Sequence, residues 1–212
     1  MRAVLFDLDG TLVNTIDLYE RAVIGSLATI GIDYPSDRFV ADYMAGRHLR
    51  DILAEFGLTE EHAPSVRGAR DRLYEELLGQ AVEWSPGAEE LLKKTAERYP
   101  LGIVTGSWRS YVDRIERKLA LSRYTNIIVT ADDMGMGKFQ KPHPHGLLLA
   151  ADRLGAAPEE CVYIGDQLFD IEAAKRAGMR SVLVIGKHTP AGGQEEADEV
   201  ARSLEEVLRY CS

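Results

Sequence analysis

Short apolar runs without polar alternation recur along the chain, and each run ends in glycine or in small polar residues. Strands that are buried on both faces of a sheet have this unbroken apolar pattern. Stretches with helical periodicity separate the runs, which predicts a parallel sheet covered by helices on both faces. The predicted strands are 3–6, 101–104, 126–130, 161–164 and 181–185, and the helices between and after them are 87–99, 108–119, 144–154, 169–177 and 203–210.

Polar residues that can carry chemistry follow three of these runs, and a further one occupies a loop. Right-handed crossovers place the carboxyl ends of parallel strands along one edge of the sheet, where ligands bind. We therefore expect these residues to converge at that edge. They are Asp7 with Asp9, the segment 105–107, Asp166 with Asp170, and Lys141 in a loop before a helix.

Residues 15–80 interrupt the alternation of strands and helices. They contain no convincing strand, and glycine and proline separate several helical patterns, which are 17–30, 47–56 and 64–78. We predict an α/β protein with a Rossmann-like, doubly wound parallel sheet. Its catalytic core comprises 1–14 and 81–212, and 15–80 form an α-helical cap domain inserted after the first strand.

Asp7 and Asp9 lie on either side of Leu8, directly after the first predicted strand. At strand spacing both carboxylates fall on the same side, roughly 6–7 Å apart along the chain. Such carboxylates repel each other unless a cation lies between them. Mg²⁺ suits a site of oxygen ligands that is completed by phosphate and water. An isolated Asp-x-Asp-Gly motif is more often a turn with two solvated acids, but the buried strand, Thr11 and the other clusters favour a metal site.

The remaining clusters are compatible with phosphate chemistry. The hydroxyl groups and backbone N–H groups of 105–107 can bind phosphate oxygens at a helix N-terminus, although a simple helix cap would look the same. Lys141 can offset phosphate charge, although most lysines are merely solvated. Asp166 and Asp170 can supply one metal ligand and one outer acceptor, or one of them can cap a helix.

Composition excludes some classes of partner. The 212 residues carry a formal net charge of −9 and a pI of about 5.1. An acidic chain is a poor match for nucleic acid or an anionic membrane, whereas a few cations and a metal can still bind a small anion. Asp7 and Asp9 interrupt the early apolar run, which argues against a signal peptide. We expect a cytoplasmic monomer or homodimer that acts on a small phosphorylated metabolite.

The order of the motifs resembles that of the haloacid dehalogenase-like hydrolase superfamily over essentially the whole chain. The motifs are Asp7-Leu8-Asp9-Gly10-Thr11, then Thr105, then Lys141-Pro142, then Gly165-Asp166 with Asp170. The helical insert resembles the C1-type cap of that superfamily. Within it, the segments 6–13 and 141–144 are most similar to the phosphoglycolate phosphatase-like branch.

The resemblance implies specific roles. Asp7 would be the nucleophile that forms an aspartyl-phosphate, and Asp9 the general acid and base. Mg²⁺ would be held by Asp7, the backbone carbonyl of Asp9, and Asp166. Lys141 would neutralise charge, and Asp170 would support Lys141 or the metal ligands. Contacts to the substrate phosphate would come from Gly10, Thr11, Thr105, Gly106 and Ser107.

These roles imply a Mg²⁺-dependent phosphatase that hydrolyses a small phosphomonoester, with a phosphoglycolate-like compound as the best candidate. Dehalogenases of the superfamily lack the second aspartate, so Asp9 argues against them. A phosphonatase would need a cap lysine, and the first lysine here is Lys93. Mutases typically have an early histidine and a cap lysine. Here Tyr19 and Glu20 occupy the stretch where the early histidine would lie, and the cap has no lysine, which argues against a mutase.

Sugar-phosphate mutase and pyrophosphatase stay open as alternatives, and a phosphoacceptor signalling domain is the non-enzymatic one. Asp9 argues against that last alternative, because a base beside the aspartyl-phosphate would shorten its life. In the cap, three basic residues follow Gly46 and are candidates for binding an anionic group of the substrate: Arg47, His48 and Arg50. A solvated, basic helix start would have the same composition.

Overall fold

A computed structural model describes residues 1–47, 49–58 and 63–211. The chain divides into two compact units, Met1–Asn14 with Glu83–Ser212 and Thr15–Val82. The predicted helical domain, 15–80, begins at the same residue as the smaller unit. It ends two residues before the end of that unit. Among the described residues, no helix is both long enough and apolar enough to cross a membrane.

The larger unit is built on a parallel sheet, as predicted, which has six strands and helices between them. Its strands are β1 (Ala3–Phe6), β2 (Leu101–Val104), β3 (Ile128–Val129), β4 (Cys161–Gly165), β5 (Arg180–Val184) and β6 (Glu199–Ala201). Its α-helices are α5 (Ala88–Ala96), α6 (Arg109–Leu119), α7 (His145–Leu154), α8 (Leu168–Ala177) and α9 (Leu204–Val207).

The strand order β3-β2-β1-β4-β5-β6 places β1 at the centre. All four residues of β1 are buried and apolar, as expected for a strand covered on both faces. In the register of the sheet, Phe6 lies beside Ile103 of β2 and Ile164 of β4. The strand order reverses between β1 and β4, and this is where doubly wound sheets form a ligand-binding crevice.

The smaller unit consists of α1 (Ile16–Ala28), α2 (Ser36–Met44), α3 (Leu49–Glu55) and α4 (Ala63–Ala81). We refer to it as the helical unit. Its interior is a cluster of buried apolar side chains that includes Val23, Leu27, Phe39 and Leu53. The helix α1 packs mainly on α4. The described residues of this unit form no named strand, and the helical patterns predicted from the sequence did not include α2.

The two connections between the units run side by side within the larger unit. Val13 and Trp84 form an antiparallel bridge. Asn14 N donates to Glu83 O at 3.1 Å, and Ser85 N donates to Leu12 O at 2.9 Å. The chain therefore leaves the sheet unit and returns to it at one point.

The structure differs from the predicted elements mainly at the edges of the sheet. β3 is shorter than predicted, β6 was not predicted, and the last helix is α9 rather than 203–210. β6 has three residues and lies at the end of the strand order, paired with β5. A strand that short at an edge gives no apolar run, and so the sequence carries no clear signal for it.

Candidate active site

The carboxyl ends of β1, β2 and β4 bring distant motifs together, as the parallel sheet predicted. Lys141 Nζ donates to Asp7 Oδ1 at 2.5 Å and to Asp170 Oδ1 at 2.6 Å. Thr105 Oγ1 donates to Asp9 Oδ2 at 2.6 Å. The residues of the β1, β2 and β4 motifs and of the Lys141 loop are thus linked by direct contacts at one edge of the sheet.

Three buried carboxylates form a cluster at this edge. Asp7, Asp166 and Asp170 each offer an oxygen, and these oxygens lie within 4.8 Å of one another. Carboxylate oxygens are the ligands that Mg²⁺ prefers, and a buried concentration of negative charge favours a bound cation. The donor set therefore fits a divalent, oxygen-seeking metal ion such as Mg²⁺.

Burial governs the charges of the cluster. Burial raises the pKa of Asp7 well above its ordinary value, and Lys141 opposes that rise. Burial also raises the pKa of Asp166 to about 7, with Asp170 adding to the effect. For Lys141, burial acts to lower the pKa, but Asp170 and Asp7 together raise it well above the ordinary value. Lys141 is therefore protonated. Its single positive charge does not offset the effect of burial on Asp7 and Asp166, whose pKa values stay raised.

We expect Mg²⁺ to raise the melting temperature of the protein more at about pH 8 than at about pH 5, because metal ligands must be deprotonated. Asp166 has a folded-state pKa of about 7 against an ordinary 3.8. Without metal, its contribution to stability is therefore lost as the pH rises from about 4 to about 7. Thermal unfolding in EDTA and in Mg²⁺ at both pH values measures the difference. Equal shifts at the two pH values would contradict this expectation.

Asp166 is fixed by hydrogen bonds on both of its carboxylate oxygens. Thr11 Oγ1 donates to Oδ1 at 2.8 Å, and Gln167 Nε2 donates to Oδ2 at 2.7 Å. The same amide donates to His188 O at 3.0 Å, and Thr189 Oγ1 donates to Asp166 O at 2.8 Å. Thr11, a predicted phosphate contact, thus holds a predicted metal ligand. Gln167 and Thr189 were missed; only the position of Gln167 after Gly-Asp could have drawn attention to it.

Asp170 serves two functions at the start of α8. Its Oδ1 accepts from Lys141, and its Oδ2 accepts from the backbone N–H of Gln167 at 3.0 Å in a capping box. Helix capping and support of Lys141 were alternatives in the sequence, and the structure places Asp170 in both positions. A cap of this kind fixes the side chain before any ligand binds.

The space for Asp170 depends on the glycine that ends β4. A methyl group on Gly165 would lie 2.5 Å from Asp170 Cγ and Oδ2. We expect Gly165→Ala to destabilise the protein by about 1–3 kcal/mol and to lower activity, because the buried carboxylate has to move. Gly79→Ala is the control: Gly79 lies in α4 with nothing within 4 Å of the added methyl group. Denaturant unfolding of both variants tests this, and equal stabilities would contradict it.

Hydroxyl groups of the segment after β2 hold Asp9. Ser107 Oγ donates to Asp9 Oδ2 at 2.9 Å, beside the bond from Thr105, and Ser107 N donates to Thr105 Oγ1 at 3.0 Å. The Asp9 carboxylate thus points to these hydroxyl groups. Its predicted metal contact is through the backbone carbonyl, and this stays a prediction.

The predicted phosphate-binding glycines lie in turns beside these residues. Gly10 has φ of +87°, a left-handed conformation that glycine adopts without strain. The carbonyl of Gly106 accepts from Gln140 Nε2 at 3.2 Å, which connects this turn to the loop before Lys141. Gly106 lies between the two residues whose hydroxyl groups contact Asp9.

The basic residues predicted in the helical unit have different surroundings. Arg47 Nη1 donates to Asp42 Oδ1 and Arg47 Nη2 to Glu55 Oε2, both at 2.7 Å, so the guanidinium joins α2 and α3. Arg50 has a side chain that is 72% exposed, with Asp51 at 3.8 Å. His48 lies outside the described residues. Binding of an anion by these three residues stays a prediction.

Comparisons with known proteins agree with this architecture. Residues 4–184 match the profile of the haloacid dehalogenase-like hydrolase family. The phosphoglycolate phosphatase of Escherichia coli (strain K12) is 29% identical, over 98% of this chain and 91% of that protein. A hydrolase from Pseudomonas syringae superposes with a TM-score of 0.79 at 28% identity, over 99% of this chain and 97% of that one.

A further solved structure shows the same fold. CbbY from Rhodobacter sphaeroides, in complex with phosphate, superposes with a TM-score of 0.82 at 24% identity, covering 98% of this chain and 96% of that one. The predicted phosphatase class and the predicted similarity to phosphoglycolate phosphatases are confirmed. With residues 4–184 matched, the chain belongs to the haloacid dehalogenase-like hydrolase family.

Proposed function

We propose that this chain is a Mg²⁺-dependent phosphatase that hydrolyses a small phosphomonoester through an aspartyl-phosphate on Asp7, with a phosphoglycolate-like compound as the first candidate substrate. The observation that carries the proposal is the contact of Lys141 with both Asp7 and Asp170 beside Asp166. This arrangement joins a nucleophile to a fixed positive charge and to metal-binding oxygens. Phosphoryl transfer depends mainly on such positioning and charge compensation.

In the first half-reaction, a carboxylate oxygen of Asp7 attacks the phosphorus atom. The bond between phosphorus and the leaving oxygen of the substrate breaks, and Asp9 gives its proton to that oxygen. The products are the free alcohol and the aspartyl-phosphate. Lys141 lies 2.5 Å from Asp7 Oδ1 and orients the carboxylate for the attack.

In the second half-reaction, Asp9 takes a proton from a water molecule whose oxygen attacks the phosphorus. The bond between phosphorus and Asp7 breaks, which releases inorganic phosphate and restores both carboxyl groups to their starting states. One residue thus serves as acid and then as base, so that a single carboxyl group completes the cycle.

The residues that would hold Mg²⁺ are Asp7, Asp166 and the backbone carbonyl of Asp9. Bound Mg²⁺ would supply positive charge that offsets the charge of the phosphoryl oxygens. Thr11 and Gln167 orient Asp166 for this task through their bonds to its two oxygens. The protein contributes the orientation of the ligands before the metal and the substrate arrive.

Thr105 and Ser107 would act on both the acid and the substrate. Both hydroxyl groups donate to Asp9 Oδ2 and hold its carboxyl group in one orientation. Each hydroxyl has one proton to donate, so binding of a phosphoryl oxygen by either group would release Asp9 from that bond. Substrate binding would then free Asp9 to meet the leaving oxygen.

We propose that residues of the helical unit recognise the rest of the substrate. Arg50 is the better candidate for an anionic group, because Arg47 already donates to Asp42 and Glu55. A small carboxylated phosphomonoester suits such a residue. CbbY, the structural neighbour in complex with phosphate, supports a phosphorylated ligand.

Phosphate release from a panel of phosphorylated metabolites with Mg²⁺ tests the proposal, with Asp7→Asn measured on the same panel as the control. We expect release of phosphate by the wild-type protein, loss of activity in EDTA, and recovery when Mg²⁺ is restored. Accumulation of an isomer without phosphate release would indicate a mutase, and a long-lived phosphoprotein would indicate a signalling domain. Either result, or full activity in EDTA, would contradict the proposal.

A further inference from the structure

Tyr163 is a fully buried tyrosine in the middle of β4, beside Leu5 of β1 in the register of the sheet. Its ring packs among apolar side chains of the core, including Val104, Met134 and Leu147. Phenylalanine would fill this space equally well. The hydroxyl group therefore contributes only polar contacts, which a buried hydroxyl requires.

The hydroxyl group lies between Lys141 and the end of β2. Lys141 Nζ donates to Tyr163 Oη at 2.9 Å, and Tyr163 Oη is 3.1 Å from Val104 O and 3.3 Å from Asp170 Oδ1. A hydroxyl that accepts from the ammonium has its own proton available for the carbonyl. The contact thus joins the ammonium to the strand end that carries Thr105, whose hydroxyl holds Asp9.

The ammonium group of Lys141 has three N–H donors and three partners. These are Asp7 Oδ1, Asp170 Oδ1 and Tyr163 Oη, at 2.5, 2.6 and 2.9 Å, and the lysine side chain is 4% exposed. Two of the partners are carboxyl groups, and each can draw the ammonium toward itself. The neutral hydroxyl, on a rigid ring in a central strand, fixes the third direction.

We propose that Tyr163 is a positioning residue, which holds the ammonium of Lys141 against Asp7 so that the carboxylate is oriented for attack. This role deepens the proposed phosphatase function and rests on it. Tyr163 acts through Lys141 and is not assigned a contact with the substrate. Without the hydroxyl, the ammonium would retain Asp170 and lose the restraint that directs it to Asp7.

Steady-state kinetics of Tyr163→Phe test the proposal, with Tyr210→Phe as the matched control. Tyr210 Oη also donates to a backbone carbonyl, that of Val200, at 3.2 Å. We expect Tyr163→Phe to lower kcat by about 10- to 100-fold, as loss of an outer partner does, with KM changed by less than about twofold. Tyr210→Phe should retain wild-type kcat and KM. Equal loss of kcat in the two variants, or an unchanged kcat in Tyr163→Phe, would overturn the proposal.

A spectroscopic measurement tests the same contact without a substrate. A buried ammonium with three partners exchanges its protons slowly, so Lys141 should give a resolved ¹H–¹⁵N ammonium signal in ¹⁵N-labelled protein. We expect this signal to shift and broaden in Tyr163→Phe and to stay unchanged in Tyr210→Phe. An unchanged signal in Tyr163→Phe would refute positioning. If the wild-type protein released no phosphate, the proposed function would fail, while the ammonium signal would still decide the role of Tyr163.

Discussion

Replacing Asp7 with asparagine is expected to lower phosphate release by roughly four orders of magnitude or more, the scale on which loss of a nucleophile acts. Asparagine has nearly the same shape but no carboxylate to form the phosphoenzyme. Asp7 is buried, and its pKa is raised well above the ordinary value by burial. The ionised form is thus costly in the metal-free protein, so a neutral amide should leave the melting temperature unchanged or raise it.

The measurement combines phosphate release with thermal unfolding of the same preparations. Asp113→Asn serves as the matched control, because Asp113 is exposed on α6. We expect wild-type rates for that control. Asp7 would cease to be the nucleophile if its variant retained a substantial rate, and a large fall in melting temperature would mean that the loss of rate reflects unfolding.

Replacing Lys141 with methionine is expected to destabilise the protein by about 3–5 kcal/mol, since it leaves a buried charge without its partner. Asp7 and Asp170 both contact this ammonium, and their side chains are 6% and 0% exposed. For a chain of this size the change corresponds to a melting temperature lower by roughly 6–20 °C. Phosphate release should fall strongly as well, because the positive charge beside Asp7 is lost.

A second substitution separates charge from packing. Adding Asp170→Asn to Lys141→Met removes one of the two stranded carboxylates, so we expect the double variant to be more stable than Lys141→Met alone. Residues in contact show such non-additive effects. Lys93→Met, at an exposed position of α5, should behave like the wild type. A double variant less stable than the single one would show that charge compensation does not explain the loss.

The central strands were predictable because burial on both faces leaves an unbroken apolar run. Each of β1, β2 and β4 has such a run, and the parallel order then fixed which ends would meet. β6 escaped prediction, since it is an edge strand of three residues, of which Glu199 is charged, and so it gives no apolar run. The helix α2 escaped as well: its two buried residues are Phe39 and Asp42, so its buried face carries a charged residue where a helical pattern would show an apolar one.

The chemistry of the candidate site was more predictable than its supporting contacts. Asp7, Thr105 and Lys141 follow from strand ends and motif order. Tyr163 could not be predicted as a residue of the site, because it lies in an apolar run that indicates only a buried strand. The ion pairs of Arg47 could not be predicted from the sequence either, since its two acidic partners lie in two different helices. Such contacts depend on side-chain directions that spacing along the chain does not determine.

The paired connections at Val13 and Trp84 make the helical segment modular. Asn14 N and Glu83 O are 3.1 Å apart, so the chain ends that would remain after excision of the segment already meet. A short turn could join these two chain ends. Because the entropic cost of closing a loop grows only slowly with its length, inserts of different lengths could also be accommodated there. Whole helical segments from related phosphatases could be exchanged at this junction while the sheet and its acids are kept, which would test the proposed role of the helical unit in substrate recognition.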